Sequence, residues 1–238
     1  MSKLKRSKDR KVTNAVTNGG KVAIANTFGL PAGKRFSCPG ATSVCERVCY
    51  AGKLETQYKS VRDVLLHNWE LVKDADINEL TRLLTEMIDD FRAESEKRQA
   101  PKDFRIHWDG DFFSDDYAMA WKLVIESRPD TRFWVYTRTA SAARILHGTE
   151  NLSLYFSADN ANLSLAKQLR QEGIRLAYLA DTFEQGQGVM KQETGRPGAK
   201  CPENTRQIPL ISTNGSACGV CQLCPKGKVD IVFSATKK

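Results

Sequence analysis

The chain has 238 residues, of which 41% are hydrophobic and 27% charged, so it can bury a sizeable core and is not disordered throughout. No stretch approaches the roughly 18–20 apolar residues of a membrane-spanning helix, and the basic N-terminus lacks the apolar stretch of a secretory signal. We therefore expect a cytoplasmic protein with no membrane partner. The formal net charge of +8 favours an anionic partner, such as nucleic acid, a nucleotide or an acidic protein.

Residues 1–20 carry much of the positive charge and end in two glycines. We predict a disordered basic tail, which either keeps the protein soluble or contacts nucleic acid. Its basic residues are Lys3, Lys5, Arg6, Lys8, Arg10 and Lys11.

A short strand is predicted at 22–27 and a turn at 29–33, before a loop at 37–52 that holds three cysteines. Two helices follow, because apolar residues then recur at helical spacing. Asp76 and Glu79 resemble a capping box at the start of the second helix. The apolar residues are Val61, Leu65, Trp69 and Val72 in the first helix, and Leu80, Leu83, Leu84, Met87, Ile88 and Phe91 in the second.

Strands and helices alternate from residue 104 onward, which implies parallel strands with right-handed crossovers. We predict an α/β fold over residues 21–200, a partial or distorted (β/α) barrel, with a doubly wound open sheet as the alternative. The polar, glycine-containing segment 182–206 is predicted to be a long loop, such as a lid or a binding loop. Strands are predicted at 104–108, 133–136, 152–156 and 174–179. Helices are predicted to start at Ser114, Ser141 and Asn162. The segments 208–212 and 230–234 could add a sixth strand and an edge strand.

All seven cysteines fall into two groups, and their odd number argues against a disulfide framework in a reducing cytosol. The first group, Cys38, Cys45 and Cys49, has the spacing C-x6-C-x3-C. Three thiolates in one loop can hold a [4Fe–4S] cluster, with the fourth iron left to solvent, a carboxylate or a small molecule. A zinc knuckle completed by a remote cysteine or histidine is the alternative, because a closed zinc site needs four ligands.

The second group comprises Cys201, Cys218, Cys221 and Cys224. Its C-x2-C-x2-C run ends in Pro225, a pattern typical of bacterial ferredoxins. We predict that residues 201–238 form a small metal-binding segment, packed on the barrel, that holds either a second [4Fe–4S] cluster or zinc. A third alternative is that the two groups share one centre.

Acidic residues follow the strand at 104–108. Because side chains alternate along a strand, Arg105, His107, Asp109 and Asp111 are expected to share a face at its carboxyl end, where barrels place their chemistry. Asp109 or Asp111 could ligate the open iron, bind a substrate amine or act as a base, and His107 could handle substrate. Gly110 between the carboxylates would let a ligand approach closely.

Later strand ends are polar as well. Arg138 follows the strand at 133–136 and is suited to binding a phosphate or a carboxylate. Ser157 and Asp159 follow the next strand and could line the same cavity, although Asp159 could equally cap the next helix.

In architecture, a three-cysteine loop after the first strand of a partial (β/α) barrel resembles the radical S-adenosylmethionine superfamily. The resemblance implies that the open iron of a [4Fe–4S] cluster binds S-adenosylmethionine. Gly110 and Asp111 stand where that superfamily has a Gly-Gly-Glu-like element, which grips the methionine amine, and Arg138, Ser157 and Asp159 stand on later strand ends. The superfamily spacing is C-x3-C-x2-C, and this chain departs from it.

The chain as a whole is similar to the phage family known as gene product 88. The matching stretches are residues 36–41, 49–51, 107–114 and 133–138 together with the C-terminal cysteines, and the resemblance covers most of residues 22–235. It implies a phage origin and therefore the cytoplasm of the host cell, and it brings no activity with it.

Three hypotheses for function follow. The first is an iron–sulfur enzyme, either radical-SAM-like or using the open iron as a Lewis acid on a small-molecule ligand. The second is a cluster- or zinc-stabilised binding or regulatory protein whose basic tail contacts nucleic acid or host transcription machinery. The third is a zinc protein without redox chemistry.

Overall fold

A seven-stranded parallel β-sheet forms the centre of the fold in the computed structural model, which describes residues 2–17 and 20–236. The strands are β1 (Asn14–Thr17), β2 (Gly20–Ala23), β3 (Thr27–Gly29), β4 (Asp103–Asp109), β5 (Arg132–Thr137), β6 (Leu152–Ala158), β7 (Arg175–Ala180), β8 (Ala199–Lys200), β9 (Ile211–Ser212), β10 (Gly215–Ser216) and β11 (Ile231–Ser234). Two antiparallel pairs, β1 with β2 and β9 with β10, lie outside the main sheet.

The helices connect and cover the strands of the sheet. They are α1 (Ser43–Val48), α2 (Tyr50–Gln57), α3 (Lys59–Val72), α4 (Ile77–Lys97), α5 (Asp115–Glu126), α6 (Ala140–Leu146), α7 (Leu163–Gln171), α8 (Phe183–Thr194), α9 (Ala217–Cys221) and α10 (Leu223–Lys226). Within the described ranges, none of them combines the length and the apolar character that crossing a bilayer requires.

The strand order of the sheet is β3-β4-β5-β6-β7-β11-β8. From β3 to β7 each strand pairs in parallel with the next one along the chain, so the order does not reverse. A doubly wound sheet reverses its order at a switch point, and this stretch of the sheet therefore does not follow the doubly wound alternative. In the described residues β3 and β8 form the two edges of the sheet.

The two faces of the sheet are covered differently. Phe133 and Val135 of β5 join one large apolar core with helices α4 to α8. The residue between them, Trp134, points to the other face and packs in a second core with Tyr155 and Cys224. We call this second face the inner face. Trp134 points away from its two neighbours because side chains alternate along a strand. The C-terminal cysteine segment and part of the N-terminal segment cover the inner face.

The helices predicted from apolar spacing and capping residues are confirmed. Asp76 accepts the backbone N–H groups of Asn78 and Glu79 at 2.9 Å and so starts α4. Ser114 caps α5 in the same way by accepting the N–H of Tyr117 at 3.2 Å. The apolar stripe of α4 is buried throughout, which anchors the longest helix of the chain on the sheet.

Several predicted boundaries are wrong. The first strand of the main sheet is β3, whereas part of the predicted strand at 22–27 pairs in a hairpin. The predicted loops at 37–52 and 182–206 contain α1, part of α2 and all of α8. The predicted edge strand at 230–234 lies inside the sheet, between β7 and β8, while only Ile211–Ser212 of the segment 208–212 is a strand.

The basic N-terminal segment differs from the disordered tail that the sequence predicts. Residues 2–17 cross from the helical face to the inner face, with Leu4 and Val12 buried. Asn68 of α3 exchanges two hydrogen bonds with the backbone of Lys5, at 2.8 and 2.9 Å. The segment is ordered because it supplies apolar side chains to both cores, which a charge count does not reveal. The glycine pair that was expected to end the tail falls partly outside the described residues.

Candidate functional site

The three cysteines of the first group occupy three different local structures at the carboxyl end of the sheet. Cys38 lies in the loop after β3, Cys45 lies in α1, and Cys49 is the N-cap residue of α2. The Thr42 hydroxyl accepts the N–H of Cys45 at 3.0 Å and thereby starts α1. The Cys49 sulfur accepts the N–H of Gly52 at 3.3 Å. Local capping therefore fixes where two of the three thiols stand.

Two glycines allow the cysteine loop to lie against the strand ends. A Cβ on Gly110 would lie 2.5 Å from Ser37 Oγ, and Gly110 has a φ of +80°. A Cβ on Gly40 would lie 2.4 Å from the carbonyl oxygen of Arg138. Ser37 completes the junction by accepting the N–H of Asp111 at 3.2 Å. Gly110 therefore serves the packing of loop on strand, rather than the approach of a ligand.

Asp111 links the ends of two strands through hydrogen bonds to both of its carboxylate oxygens. Its Oδ1 accepts the Thr137 hydroxyl at 2.6 Å and the N–H of Phe112 at 2.7 Å, and its Oδ2 accepts the N–H of Arg138 at 2.7 Å. Burial raises the pKa of Asp111 to about 6, although these hydrogen bonds oppose the rise. The carboxylate joins the end of β4 to the end of β5.

Asp159 performs the same role one strand further on. Its Oδ2 accepts the Arg138 guanidinium and the Thr42 hydroxyl, both at 2.6 Å, and its Oδ1 caps the following helical turn through the N–H of Ala161. Because Thr42 also caps α1, the end of β6 is connected directly to the helix that carries Cys45. Arg138 in turn interacts with the Cys45 sulfur. Burial raises the pKa of the Cys45 thiol, and the positive charge of Arg138 opposes that rise.

Asp109 differs from these two carboxylates because part of it is unpaired. It is 3% exposed, its Oδ1 accepts only the N–H of Gly110, and its Oδ2 has no hydrogen-bond partner among the described residues. Burial raises the pKa of Asp109 to about 8, and the neighbouring carboxylate of Glu55 adds to the rise. Glu55 is itself held in place by the N–H of Ala32, which donates to it at 2.8 Å.

His107 does not join this site, which corrects the expected shared face. Between β3 and β4 the register advances by two residues on one strand and four on the other, and His107 has a φ of +55°. This irregularity turns its ring into the aromatic core, where it contacts Phe112 and hydrogen-bonds the Tyr117 hydroxyl at 2.9 Å. Burial lowers the pKa of His107 to about 3, so it is a neutral packing residue at ordinary pH.

The first cysteine group shares the electrostatic surroundings of the acidic strand end. Burial raises the pKa of the Cys38 thiol to about 12, and the charges of Asp111 and Asp109 raise it further. Burial likewise raises the pKa values of Cys45, close to Asp111, and of Cys49, close to Asp109. Without an added cation, the three thiols are therefore protonated.

The second group lies on the inner face of the sheet. Burial raises the pKa of the Cys218 thiol to about 12, and the guanidinium of Arg105 opposes the rise. Burial raises that of Cys224 to about 11, opposed by the Tyr136 hydroxyl and raised further by Cys201 and Cys221. The segment is fastened to β6 by the Ser153 hydroxyl, which donates to the carbonyl of Pro225 at 2.7 Å. The other three thiols therefore lie within electrostatic reach of Cys224.

Arg105 is the buried cation of the inner face. Its Nη1 donates to Asp9 of the N-terminal segment at 2.6 Å, its Nη2 lies 3.5 Å from the Tyr50 hydroxyl, and its guanidinium lies over the Tyr136 ring at 5.7 Å. Its Nε is buried without a hydrogen-bond partner in the described chain. Tyr50 directly follows Cys49, so Arg105 stands between the two cysteine groups.

All seven cysteines are free thiols. In the part of the chain that the structure describes, no set of three or more histidine, cysteine, aspartate or glutamate side chains is close enough together to hold a metal ion. The sulfur atoms of each group lie in one region of the described structure. The metal ligation that the sequence predicts stays a prediction.

The comparisons with known proteins identify the relatives of this chain. The family described as Gene product 88 matches residues 2–227. The chain belongs to the gene product 88 family. The Gene 88 protein of Mycobacterium phage L5 is 52% identical over 244 residues, and that of Mycobacterium phage D29 is 51% identical over 245 residues, with both chains covered completely in each case. No solved structure matches.

In this gene product 88 chain, most sequence-predicted site residues lie at the carboxyl ends of the strands, in the roles described above. Ser157 is on β6, and its carbonyl accepts from the Asn162 side chain at 3.1 Å. The residues that sequence reasoning missed are Glu55, Thr42 and Lys11. Glu55 lies on α2, of which only the first residues fell in the predicted loop at 37–52, and a capping pattern at Thr42 was the available signal for α1. Lys11 was assigned to the tail, but it pairs with Glu203 at 2.8 Å.

Proposed function

We propose that this protein is an iron–sulfur protein whose [4Fe–4S] cluster is held by Cys38, Cys45 and Cys49. One observation carries the proposal. The three thiols come from a loop, a helix and a helix cap, and yet each is influenced by the charge of Asp109, Asp111 or both. Because the ligands of a cluster surround a bulky inorganic core, this spread of three thiols suits a cluster. Binding it would draw together side chains that are not close enough to hold a single metal ion in the described structure.

The protonated state of the thiols is compatible with this proposal. Because the pKa values of these buried thiols are high, the site carries no thiolate charge in the absence of a metal. Metal binding then displaces the thiol protons. The group has three cysteines, whereas a closed zinc site needs four ligands. Asp109 is the candidate for the remaining position, since its Oδ2 is buried and unpaired while Asp111 and Asp159 have their oxygens occupied.

An enzymatic role would instead leave the fourth iron to the substrate and keep Asp109 as a free carboxylate. Burial and the neighbouring Glu55 raise the pKa of Asp109, so the pair could give a proton to a substrate at the loop or take one from it. The bound cluster would supply a Lewis-acidic iron. For S-adenosylmethionine the fit is poorer, because Asp111, at the position expected to grip the methionine amine, accepts three hydrogen bonds from the protein.

For the second group we propose a closed four-thiolate centre of Cys201, Cys218, Cys221 and Cys224, containing either zinc or a second [4Fe–4S] cluster. Four cysteines are enough to complete either site. Arg105 supports the proposal because it places a buried positive charge beside Cys218, where four thiolates and their metal would carry net negative charge.

The alternative of a nucleic-acid-binding tail is not favoured by the N-terminal contacts. Lys3 pairs with Asp90, Arg6 with Glu94 and Lys11 with Glu203, at 2.8 to 3.0 Å. Half of the basic residues of the tail are therefore already paired with the folded domain.

The test is the metal content of protein purified without oxygen. Iron, acid-labile sulfide and zinc are measured for the native protein and for two matched variants, Cys45→Ser and Cys221→Ser. We expect about four irons and four sulfides for each cluster, with Cys45→Ser losing one centre and Cys221→Ser the other. Zinc without sulfide in the native protein would contradict the cluster, and loss of all metal from either variant would contradict two separate centres.

A further inference from the structure

The segment 34–62, which runs from the cysteine loop into α3, is an unusually basic and aromatic part of the surface. It contains six lysines and arginines against two glutamates, in a chain of net charge +8. Phe36, Tyr50 and Tyr58 are 39%, 48% and 50% exposed, and they are the only exposed aromatic side chains among the residues that the structure describes. Positive charge and exposed rings therefore coincide in one segment.

Most charges of this segment are available to a partner, the exception being Lys59, which pairs with Asp63 at 2.6 Å. Arg35, Lys53 and Arg62 are exposed, and none of them forms an ion pair with the described part of the chain. Two further cations have only long pairs, at 3.7 Å from Lys34 to Glu46 and 3.9 Å from Arg47 to Asp181. The paired cations of the N-terminal segment are bound more closely.

Two of the three rings lie along α3. Tyr50 is already engaged, because Lys11 lies over its ring at 5.8 Å and its hydroxyl is 3.5 Å from Arg105 Nη2. Tyr58 and Arg62 are four residues apart at the start of α3, so they are neighbours on the same helix face. Two turns further along that face lies Trp69, against which Phe36 packs edge-on with ring centroids 6.0 Å apart. Elsewhere in the segment, Glu46, Cys49 and Lys53 are among the residues that line an open cavity of about 560 Å³.

We propose that the segment 34–62 binds single-stranded nucleic acid. Cations that follow a backbone together with rings on which successive bases stack are the two elements of such surfaces. A duplex fits less well, because its bases are stacked on each other and cannot reach the rings. This inference goes beyond the proposed function, and it does not depend on whether the cysteines hold a metal.

The test is binding of the full chain to fluorescent oligonucleotides of about 12 nucleotides, oligo(dT) and oligo(U), between roughly 50 and 200 mM salt. Two matched variants each remove three unpaired cations: Arg35→Ser/Lys53→Ser/Arg62→Ser in the segment, and Lys5→Ser/Lys8→Ser/Arg10→Ser in the N-terminal segment. We expect the first variant to bind at least about tenfold more weakly, with the slope of log K against log salt reduced by about 2. The second variant should bind like the native protein.

A second pair of variants tests the rings. Tyr58→Ser should weaken binding about tenfold without changing the salt slope, whereas Leu123→Ser, at an exposed apolar position on α5, should have no effect. Thermal melting checks that each variant is folded. Binding of either oligonucleotide supports the proposal, and the stronger of the two separates DNA from RNA. Equal binding of a duplex, equal losses in the two triple variants or no binding by the native protein would overturn it.

Discussion

Arg138 and Asp159 form a buried ion pair, with 2.6 Å between Nη1 and Oδ2 and no exposed surface on the Asp159 side chain. The pair joins the ends of β5 and β6. The same carboxylate oxygen accepts the hydroxyl of Thr42, the residue that caps the helix of Cys45. The position of the cysteine loop therefore depends on a charge pair that belongs to the sheet.

Replacing Asp159 by Asn should destabilise the fold strongly. It leaves the Arg138 guanidinium buried without a counter-charge, which costs about 3 kcal/mol or more. Urea denaturation measures the change in the free energy of unfolding. Glu172→Gln is the control, because its pair with Arg144 is nearly half exposed on both sides and should contribute nothing measurable. Equal stability of the two variants would contradict the role given to Asp159.

Replacing Gly110 by Ala should separate the cysteine loop from the end of β4. The new Cβ overlaps Ser37 Oγ and the carbonyl oxygen of Leu30, in a backbone conformation that side chains avoid. We expect a loss of about 3 kcal/mol in the free energy of unfolding, together with reduced metal uptake by the first cysteine group. Gly188→Ala is the matched control. It lies in α8 with open space around it and should stabilise the protein by up to about 1 kcal/mol.

Sequence patterns predicted the part of the fold that local physical chemistry determines. From α3 to β7, apolar periodicity and caps such as Asp76 and Ser114 marked the helices and strands, and the structure confirms these elements. Helix α8 was missed because its interior contains Gly186 and Gly188 and few apolar residues. The capping box at Thr182 was the local signal for its start.

The site was less predictable because it depends on tertiary contacts. Alternation along β4 placed His107 beside Asp109, and a register irregularity with a positive φ at a residue other than glycine reversed that placement. The sequence does not mark such an irregularity. Likewise, only the folded chain shows that Glu55 stands beside Asp109 and that Arg105 stands between the cysteine groups. The two cysteine groups lie apart in the structure, at the strand ends and on the inner face, and their ligation stays a prediction.

The metal-free protein should become less stable as pH rises through the neutral range. The folded-state pKa of Asp109 is raised from its ordinary value of 3.8 to about 8. Folding therefore takes up a proton between these values, and the stabilisation present at low pH is lost as pH rises through about 8. The lowered pKa of His107 acts in the opposite direction over the same range and offsets part of this loss. We expect the free energy of unfolding to fall by about 1 kcal/mol or more between pH 6 and pH 8.

Asp109→Asn should remove this dependence, because the amide does not titrate. Asp130→Asn is the control. The pKa of Asp130 is held low by Arg92 and Lys102, so it titrates only in acid. Denaturation curves at both pH values compare the three proteins. An unchanged pH dependence in Asp109→Asn would show that another group carries the proton.

Arg105 should control the properties of the C-terminal centre. Its Nε is a buried donor without a partner among the described residues, and its charge acts on Cys218 and Cys224. A thiolate ligand would accept that N–H, and hydrogen bonds to ligand sulfurs and nearby charge influence both the affinity and the reduction potential of a thiolate site. Arg105→Gln removes the charge, and Arg105→Lys keeps it.

The measurement uses a Cys38→Ser/Cys45→Ser/Cys49→Ser background, so that only the second centre is observed. If that centre is a cluster, Arg105→Gln should shift its reduction potential to more negative values, because the reduced form carries more negative charge. If it is zinc, a chelator should extract the metal at least about tenfold more readily. Arg105→Lys should lie between these results and the parent, and Arg144→Gln, at an exposed site, should match the parent. A parent without metal would contradict the centre itself, whereas a loaded centre that is indifferent to Arg105→Gln would show that the buried guanidinium serves the N-terminal segment through Asp9 instead.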